Sequence, residues 1–172
     1  MGQTLQQYLA QMNKDCRFLG KGMHSWVFDH PRDPRTVVKV SVGDLPYQEA
    51  FIPFCFHNQG NRWLPRIQAF DTLDLEDAKA CLILIERLQP TNWSMIERAI
   101  QEINPTIDQD RFSIKCRMSY PEWVKTSQES QDEDTKVLAK FCARHFGLLD
   151  LTDKNFMRRG PQVVFSDPVC LP

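Results

Sequence analysis

The sequence predicts an α+β fold: a five-stranded antiparallel sheet with one helix over residues 1–89, then a reduced, mostly helical part over 90–172. Short apolar runs at 17–19, 26–29, 36–42, 65–72 and 80–86 are bounded by glycine, proline and polar clusters, as strands are. Apolar residues at helical spacing follow in the second half, and two phosphate-handling patterns lie at opposite ends of the chain. With 172 residues the chain suits one domain built from two parts.

The elements follow in order. Leu5, Tyr8, Leu9 and Met12 share a helical face behind Thr4, an N-cap residue type. The link His30-Pro-Arg-Asp-Pro34-Arg is proline-broken and polar, which suits a turn between the second and third strands. A helix over 46–57 starts near Pro46, and Pro53 would strain its middle, so a short or bent helix is expected. Cys81-Leu-Ile-Leu-Ile85 makes the fifth strand a dense apolar run. Past Gln89-Pro90, a stripe of Trp93, Ile96, Ile100 and Ile103 predicts a helix behind Thr91 and Asn92, stopped by Asn104-Pro105. The polar run 126–134 reads as a solvated loop or helix approach. Val137, Leu138, Phe141, Cys142, His145 and Phe146 form the clearest helical stripe, closed by Gly147 and leading into Leu148-Leu-Asp150.

Composition removes several function classes. The 21 basic and 22 acidic side chains leave a net charge of −1, with no basic excess to demand nucleic acid or an anionic membrane. No apolar stretch is long enough to span a bilayer, and the start lacks the basic-then-apolar profile of a secretory signal. Six cysteines stand singly (Cys16, Cys55, Cys81, Cys116, Cys142, Cys170), which predicts reduced thiols in a cytosol rather than a disulfide frame or zinc site. His24, His30, His57 and His145 have no ligand spacing.

Chemistry concentrates in two places. The C-terminal pattern is Asp150-Leu-Thr-Asp-Lys-Asn155-Phe-Met, then Val163-Val-Phe-Ser-Asp167-Pro168. An acid, an amide five residues on, and a second acid after a short apolar strand match the metal–phosphate constellation of phosphoryl-transfer enzymes. At the other end stands Phe18-Leu-Gly20-Lys-Gly22-Met-His-Ser25-Trp-Val27-Phe, then Thr36-Val-Val-Lys39-Val. Glycines between two strands let the backbone approach phosphates, and a strand lysine supplies one ammonium to neutralise them. Glycine loop, strand lysine, Asp-x-x-x-x-Asn and strand-Asp follow in the order of the protein-kinase fold.

With those residues in view, the chain resembles the early protein kinases of short-tailed bacteriophages, the Teseptimavirus group. The likeness rests on the glycine loop, Val-x-Lys-Val, Ala50-Phe-x-x-Phe-Cys55, Asp150-x-x-x-x-Asn155-x-Met157 and the ending Asp167-Pro168-Val169 in place of Asp-Phe-Gly. It spans 18–169 apart from the middle segment 90–133, and the family's separate host-shutoff region has no counterpart here. The resemblance implies a serine/threonine protein kinase using ATP and Mg²⁺ and modifying host proteins or itself in the cytosol of an infected bacterium. Nucleotide would lie in the cleft between a five-stranded N-lobe and a reduced C-lobe.

Each role has a plainer competitor. Asp150 would be the catalytic base, or a loop acid capping the next turn. Asn155 and Asp167 would hold magnesium, or cap a helix and form a turn. Lys39 would contact the phosphates, braced by Glu49, which is otherwise a surface charge. Gly20, Gly22 and Ser25 would cover the phosphates, or form an ordinary hairpin. Glu86-Arg-Leu88 lies where kinase-like folds offer backbone groups to adenine. Leu19, Val27, Leu84 and Ile85 would line the adenine slot or belong to the core. Lys154 would reach the transferring phosphate or point into solvent.

The pattern also departs from the family. Leu148-Leu149 replaces the usual His-Arg, so activation-loop phosphorylation cannot act by the ordinary charge pairing. Residues 168–172 are too few for an activation segment and peptide platform. The segment 104–133, or a second copy in a homodimer, would then supply a docking surface. Two further readings stay open: a kinase-like protein that binds and inhibits a host factor without catalysis, and a small-molecule phosphotransferase.

Overall fold

The computed structural model describes residues 2–43, 47–103, 130, 132–145, 148–149, 153–166 and 169–170. The fold is α+β, with four α-helices and a five-stranded antiparallel sheet among the described residues. The chain forms two compact units: Met1–Gln59 with Arg66–Arg87, and Gly60–Pro65 with Leu88–Pro172. The sequence suggested a division at 89/90. The observed one falls at Arg87/Leu88 and assigns Gly60–Pro65 to the second unit.

In the first unit, helix α1 (Leu5–Asp15) begins with a capping box. Thr4 Oγ1 accepts from the Gln7 N–H, and Gln7 Oε1 accepts from the Thr4 N–H. Strands β1 (Phe18–Lys21), β2 (Ser25–Asp29), β3 (Thr36–Val42), β4 (Ile67–Asp74) and β5 (Lys79–Glu86) pair in the order β1-β2-β3-β5-β4. Strand β3 matches its sequence-based bounds. Strand β4 runs two residues later than predicted, because Leu64 and Pro65 belong to the second unit and pairing with β5 continues to Asp74↔Lys79.

Register assigns the two faces. Trp26, Val40 and Leu82 lie in one row across β2, β3 and β5; Val27, Lys39 and Ile83 lie in the next. The first face packs Phe28, Val38, Val40 and Ala80 beneath Leu5, Tyr8, Leu9 and Met12 of α1. The second row ends at Phe70 on β4, whose ring meets Phe56 of helix α2 (Ile52–His57) edge to face at 5.5 Å. Lys39 therefore belongs to the α2 face. Burying a side chain such as Phe28 or Ile83 completely contributes about 1.5–3 kcal/mol each.

The helix expected over 46–57, shortened or bent by Pro53, is a short one. A π-helical turn, Tyr47–Phe51, leads into α2, and Pro53 falls in the first turn of α2. The missing proline N–H thus coincides with the change of hydrogen-bond pattern.

Among its described residues, the second unit combines two helices with short strands. Helix α3 (Trp93–Ile103) buries Ile96, Ala99, Ile100 and Ile103, and the Asn92 side chain accepts from the Met95 N–H. Helix α4 (Glu133–His145) starts inside the polar run, since Asp132 accepts from the Thr135 N–H at 3.0 Å. Five short strands flank them among the described residues: β6 (Gln89–Pro90) before α3, and β7 (Leu148–Leu149), β8 (Phe156–Arg159), β9 (Gln162–Phe165) and β10 (Val169–Cys170) after α4. They pair as β6-β8-β9 and β7-β10. The tight β8–β9 turn takes Gly160 at φ +59°, a backbone conformation that favours glycine.

Acid should unfold the first unit partly through Asp33. A hydrogen bond from Thr36 Oγ1, then bonds from Arg35, hold its carboxyl down to about 2. A depressed carboxyl stabilises the fold above its unfolded value of about 3.9 and loses that contribution as pH falls towards the folded value. Asp33→Asn is expected to be less stable at neutral pH and to lose less stability than wild type over that acid interval, as read by denaturant midpoints at each pH.

Candidate functional site

In the second unit, backbone pairing draws the C-terminal pattern together. Leu149 is the Cα partner of Val169 in the β7–β10 ladder, so the residue before Asp150 faces the residue two after Asp167. The β8–β9 hairpin pairs Phe156 with Phe165, and at its open end the Ser166 N–H donates to the Asn155 carbonyl at 2.9 Å. Asn155, closing the 3-10 turn Asp153–Asn155, thus sits beside the residue before Asp167. Asp150 and Asp167 themselves lie outside the described residues. Lys154 is exposed on that same turn, and Asn155 is half-buried.

What holds this hairpin is Trp63. It is fully buried, its ring meets Phe165 edge to face at 6.1 Å, and its carbonyl accepts the Phe165 N–H at 2.8 Å. Phe156 packs on Phe165 with ring centroids 4.9 Å apart. Arg159 adds a bond to the Leu64 carbonyl at 2.8 Å.

The Trp63 indole N–H donates to Thr135 Oγ1 at 3.0 Å and Asp132 Oδ2 at 3.3 Å. Arg62 pairs with Glu102 at 2.8 Å and Asp132 at 3.1 Å, and the Asn61 amide donates to the Asp134 carbonyl. Burial alone would push Asp132 up; hydrogen bonds from Thr135, Trp63 and Arg62 outweigh it and hold the carboxyl below its ordinary value. The start of α4, the end of α3 and the strand leading to Asp167 are thereby tied to four consecutive residues. The only sequence sign was Asn61-Arg-Trp-Leu64, polar and aromatic residues packed into one link.

The first unit places the N-terminal pattern. Lys39 is half-buried at the middle of β3, between Val27 and Ile83. Its ammonium opposes the rise that burial, aided by Asp71, produces in the Cys81 thiol. The Gly22 N–H donates to the Ser25 carbonyl at 2.8 Å, closing a tight turn with Met23 at its exposed tip. A Cβ on Gly22 would come within 3.0 Å of Ser25 Oγ, whereas one on Gly20 would meet no heavy atom within 4 Å. A side chain at 22 would thus have to displace the Ser25 hydroxyl, while one at 20 would meet open space.

Glu49 is exposed in the π-helical turn, and the ion pairs among the described residues do not join it to Lys39. The Glu86 N–H donates to the Arg66 carbonyl and its carboxylate accepts the Arg66 N–H at 2.8 Å. The Arg87 N–H is likewise used, by the Arg35 carbonyl, and Leu88 begins the second unit half-buried. Val27 and Leu84 are half-buried and Ile85 buried, as residues of a packed sheet; Leu19 is exposed.

Among the described residues, no three His, Cys, Asp or Glu side chains cluster to hold a metal. The oxygen donors expected to do so are Asn155 and Asp167, an amide and a carboxylate suited to a hard cation. Trp63→Phe keeps a ring against Phe165 but strands its indole partners, and it is expected to destabilise the second unit by about 1–3 kcal/mol in denaturant titration. No family model and no curated protein matches this chain.

Proposed function

We propose that this protein is an ATP- and Mg²⁺-dependent serine/threonine protein kinase with a kinase-like fold. In this reading it is bacteriophage-encoded and acts on bacterial host proteins, or on itself, in the host cytosol. The observation that carries the reading is the double registration in the second unit. The β7–β10 pair and the Asn155–Ser166 bond bring together the chain positions that flank Asp150, Asn155 and Asp167. Three separate stretches of sequence need not have met in this way if Asp-x-x-x-x-Asn were a chance match.

Asp150 accepts the proton of the attacking hydroxyl and orients it in line with the transferring phosphate. Asn155 and Asp167 would hold magnesium, which when bound neutralises phosphate charge. Lys39 projects one ammonium from a stiff central strand, suited to the nucleotide phosphates. Gly20 fits close approach of a phosphate because its side-chain space is open while the Gly22–Ser25 turn is closed by its own bonds. Lys154, exposed next to Asn155, is the cation assigned to the phosphate in flight. Leu88 and the carbonyls near Glu86 would meet adenine. Among the described residues no helix is long and apolar enough to cross a membrane.

The test uses purified protein, γ-labelled ATP and Mg²⁺, alone and with bacterial lysate. Label is expected on protein with wild type and is expected to fall by about 10²–10⁴-fold in Asp150→Asn. Label undiminished in that variant would refute the assignment. Absence of label in wild type, with no thermal shift on adding Mg-ATP, would favour a binding protein that inhibits a host factor.

A further inference from the structure

The first unit carries a cavity of about 620 Å³ at the end of the sheet where α1 ends and β2 turns into β3. Neither Lys39 nor the glycine turn lines it. Three arginines do, Arg17, Arg32 and Arg87, together with His30. Three carboxylates, Asp15, Asp29 and Asp33, lie there as well, so formal charge alone does not name a ligand.

Hydrogen bonding does. Asp29 and Asp33 are engaged on both carboxylate oxygens and Asp15 on one. Asp29 takes Arg17 Nε on one oxygen at 2.8 Å and Arg87 Nη2 on the other. Asp33 receives Thr36 Oγ1 at 2.7 Å on one oxygen and the Arg35 N–H at 3.0 Å on the other. Asp15 accepts from Gln11 Nε2 at 2.8 Å.

The donors are in surplus. Arg17 uses only its Nε and keeps both terminal amino groups, with its side chain 75% exposed. Arg87 uses Nε on the Pro34 carbonyl and one terminal group on Asp29, leaving the other. Arg32 is exposed, and among the described residues its guanidinium has no partner. His30 Nδ1 accepts from the Asp33 N–H at 3.0 Å and the Arg32 N–H at 3.3 Å, so the neutral ring carries its proton on Nε2 as one more donor.

A rim of unused guanidinium and imidazole donors around carboxylates that are mostly engaged suits a ligand with many acceptor oxygens and negative charge. Phosphate monoesters have both, and arginine forks match their geometry. We propose that this cavity binds a phosphate monoester, presented as a phosphorylated serine or threonine side chain of a protein. Such a site would let the protein dock on phosphorylated chains through its first unit, away from Lys39. It stands whether or not the protein transfers phosphate.

The test needs no nucleotide. A fluorescein-labelled peptide with one phosphoserine, its unphosphorylated twin and inorganic phosphate as competitor are titrated against the full chain by fluorescence anisotropy. Wild type is expected to bind the phosphopeptide at least about tenfold tighter than the twin. Arg32→Ala, a substitution at an exposed and unbonded side chain, should remove most of that preference. Lys79→Ala, which deletes an exposed charge outside the cavity, should leave it unchanged. Equal affinity for the two peptides, or equal weakening by both substitutions, would overturn the proposal. Displacement by inorganic phosphate at the same concentration as by phosphopeptide would keep the phosphate site but make free phosphate its ligand.

Discussion

Trp63 is the constraint on which the second unit depends. One fully buried side chain, from a link only six residues long, meets the strand before Asp167 through its ring and carbonyl, and the start of α4 through its indole N–H. Large aromatic side chains bury 150–250 Å² and reward partners that satisfy their polar edge. Thr135 and Asp132 do this here, and the same Asp132 carboxylate caps α4 and receives Arg62. The hairpin can then present Asn155 and Ser166 side by side without large loops, because Phe156 and Phe165 anchor both of its strands in the core.

The first unit solves a different problem, that of holding one ammonium in an apolar strand. Lys39 has Val38 and Val40 as chain neighbours and Val27 and Ile83 as cross-strand neighbours. Alternation gives it the α2 face while α1 seals the other, so the lysine is stiffly mounted and half-buried. That arrangement suits neutralising a bound anion, since little reorganisation accompanies binding. Gly20 adds open space on a strand whose turn is closed by the Gly22–Ser25 bond.

Much of this was readable from residues. Strand β3 shows its bounds because Thr36-Val-Val-Lys-Val-Ser-Val42 is β-branched at most positions and ends at Gly43, whose φ is +77°. Thr4 announces α1, and Asn104-Pro105 marks the end of the α3 stripe. Three features were opaque for physical reasons. Gln89-Pro90 forms a strand only because β8 offers it a partner, and two residues carry no periodicity. The polar run before α4 reads as a solvated loop or helix approach, with nothing to announce Asp132 as a cap and an ion-pair partner whose companions lie some seventy residues earlier. Pro53 looked like a strain inside a helix, and a π-helical turn moved it to the start of a new one.

The central claim is that the open end of the β8–β9 hairpin is a metal–phosphate site. Manganese substituted for magnesium, with ATP, in ¹⁵N-labelled protein tests this most directly, because the paramagnetic ion broadens nearby amide signals. The account predicts that, as manganese-ATP is titrated in from substoichiometric amounts, the Asn155 and Ser166 amides broaden before the Gly160 turn at the other end of the same hairpin. Sharp Asn155 and Ser166 signals at saturating manganese-ATP would contradict it.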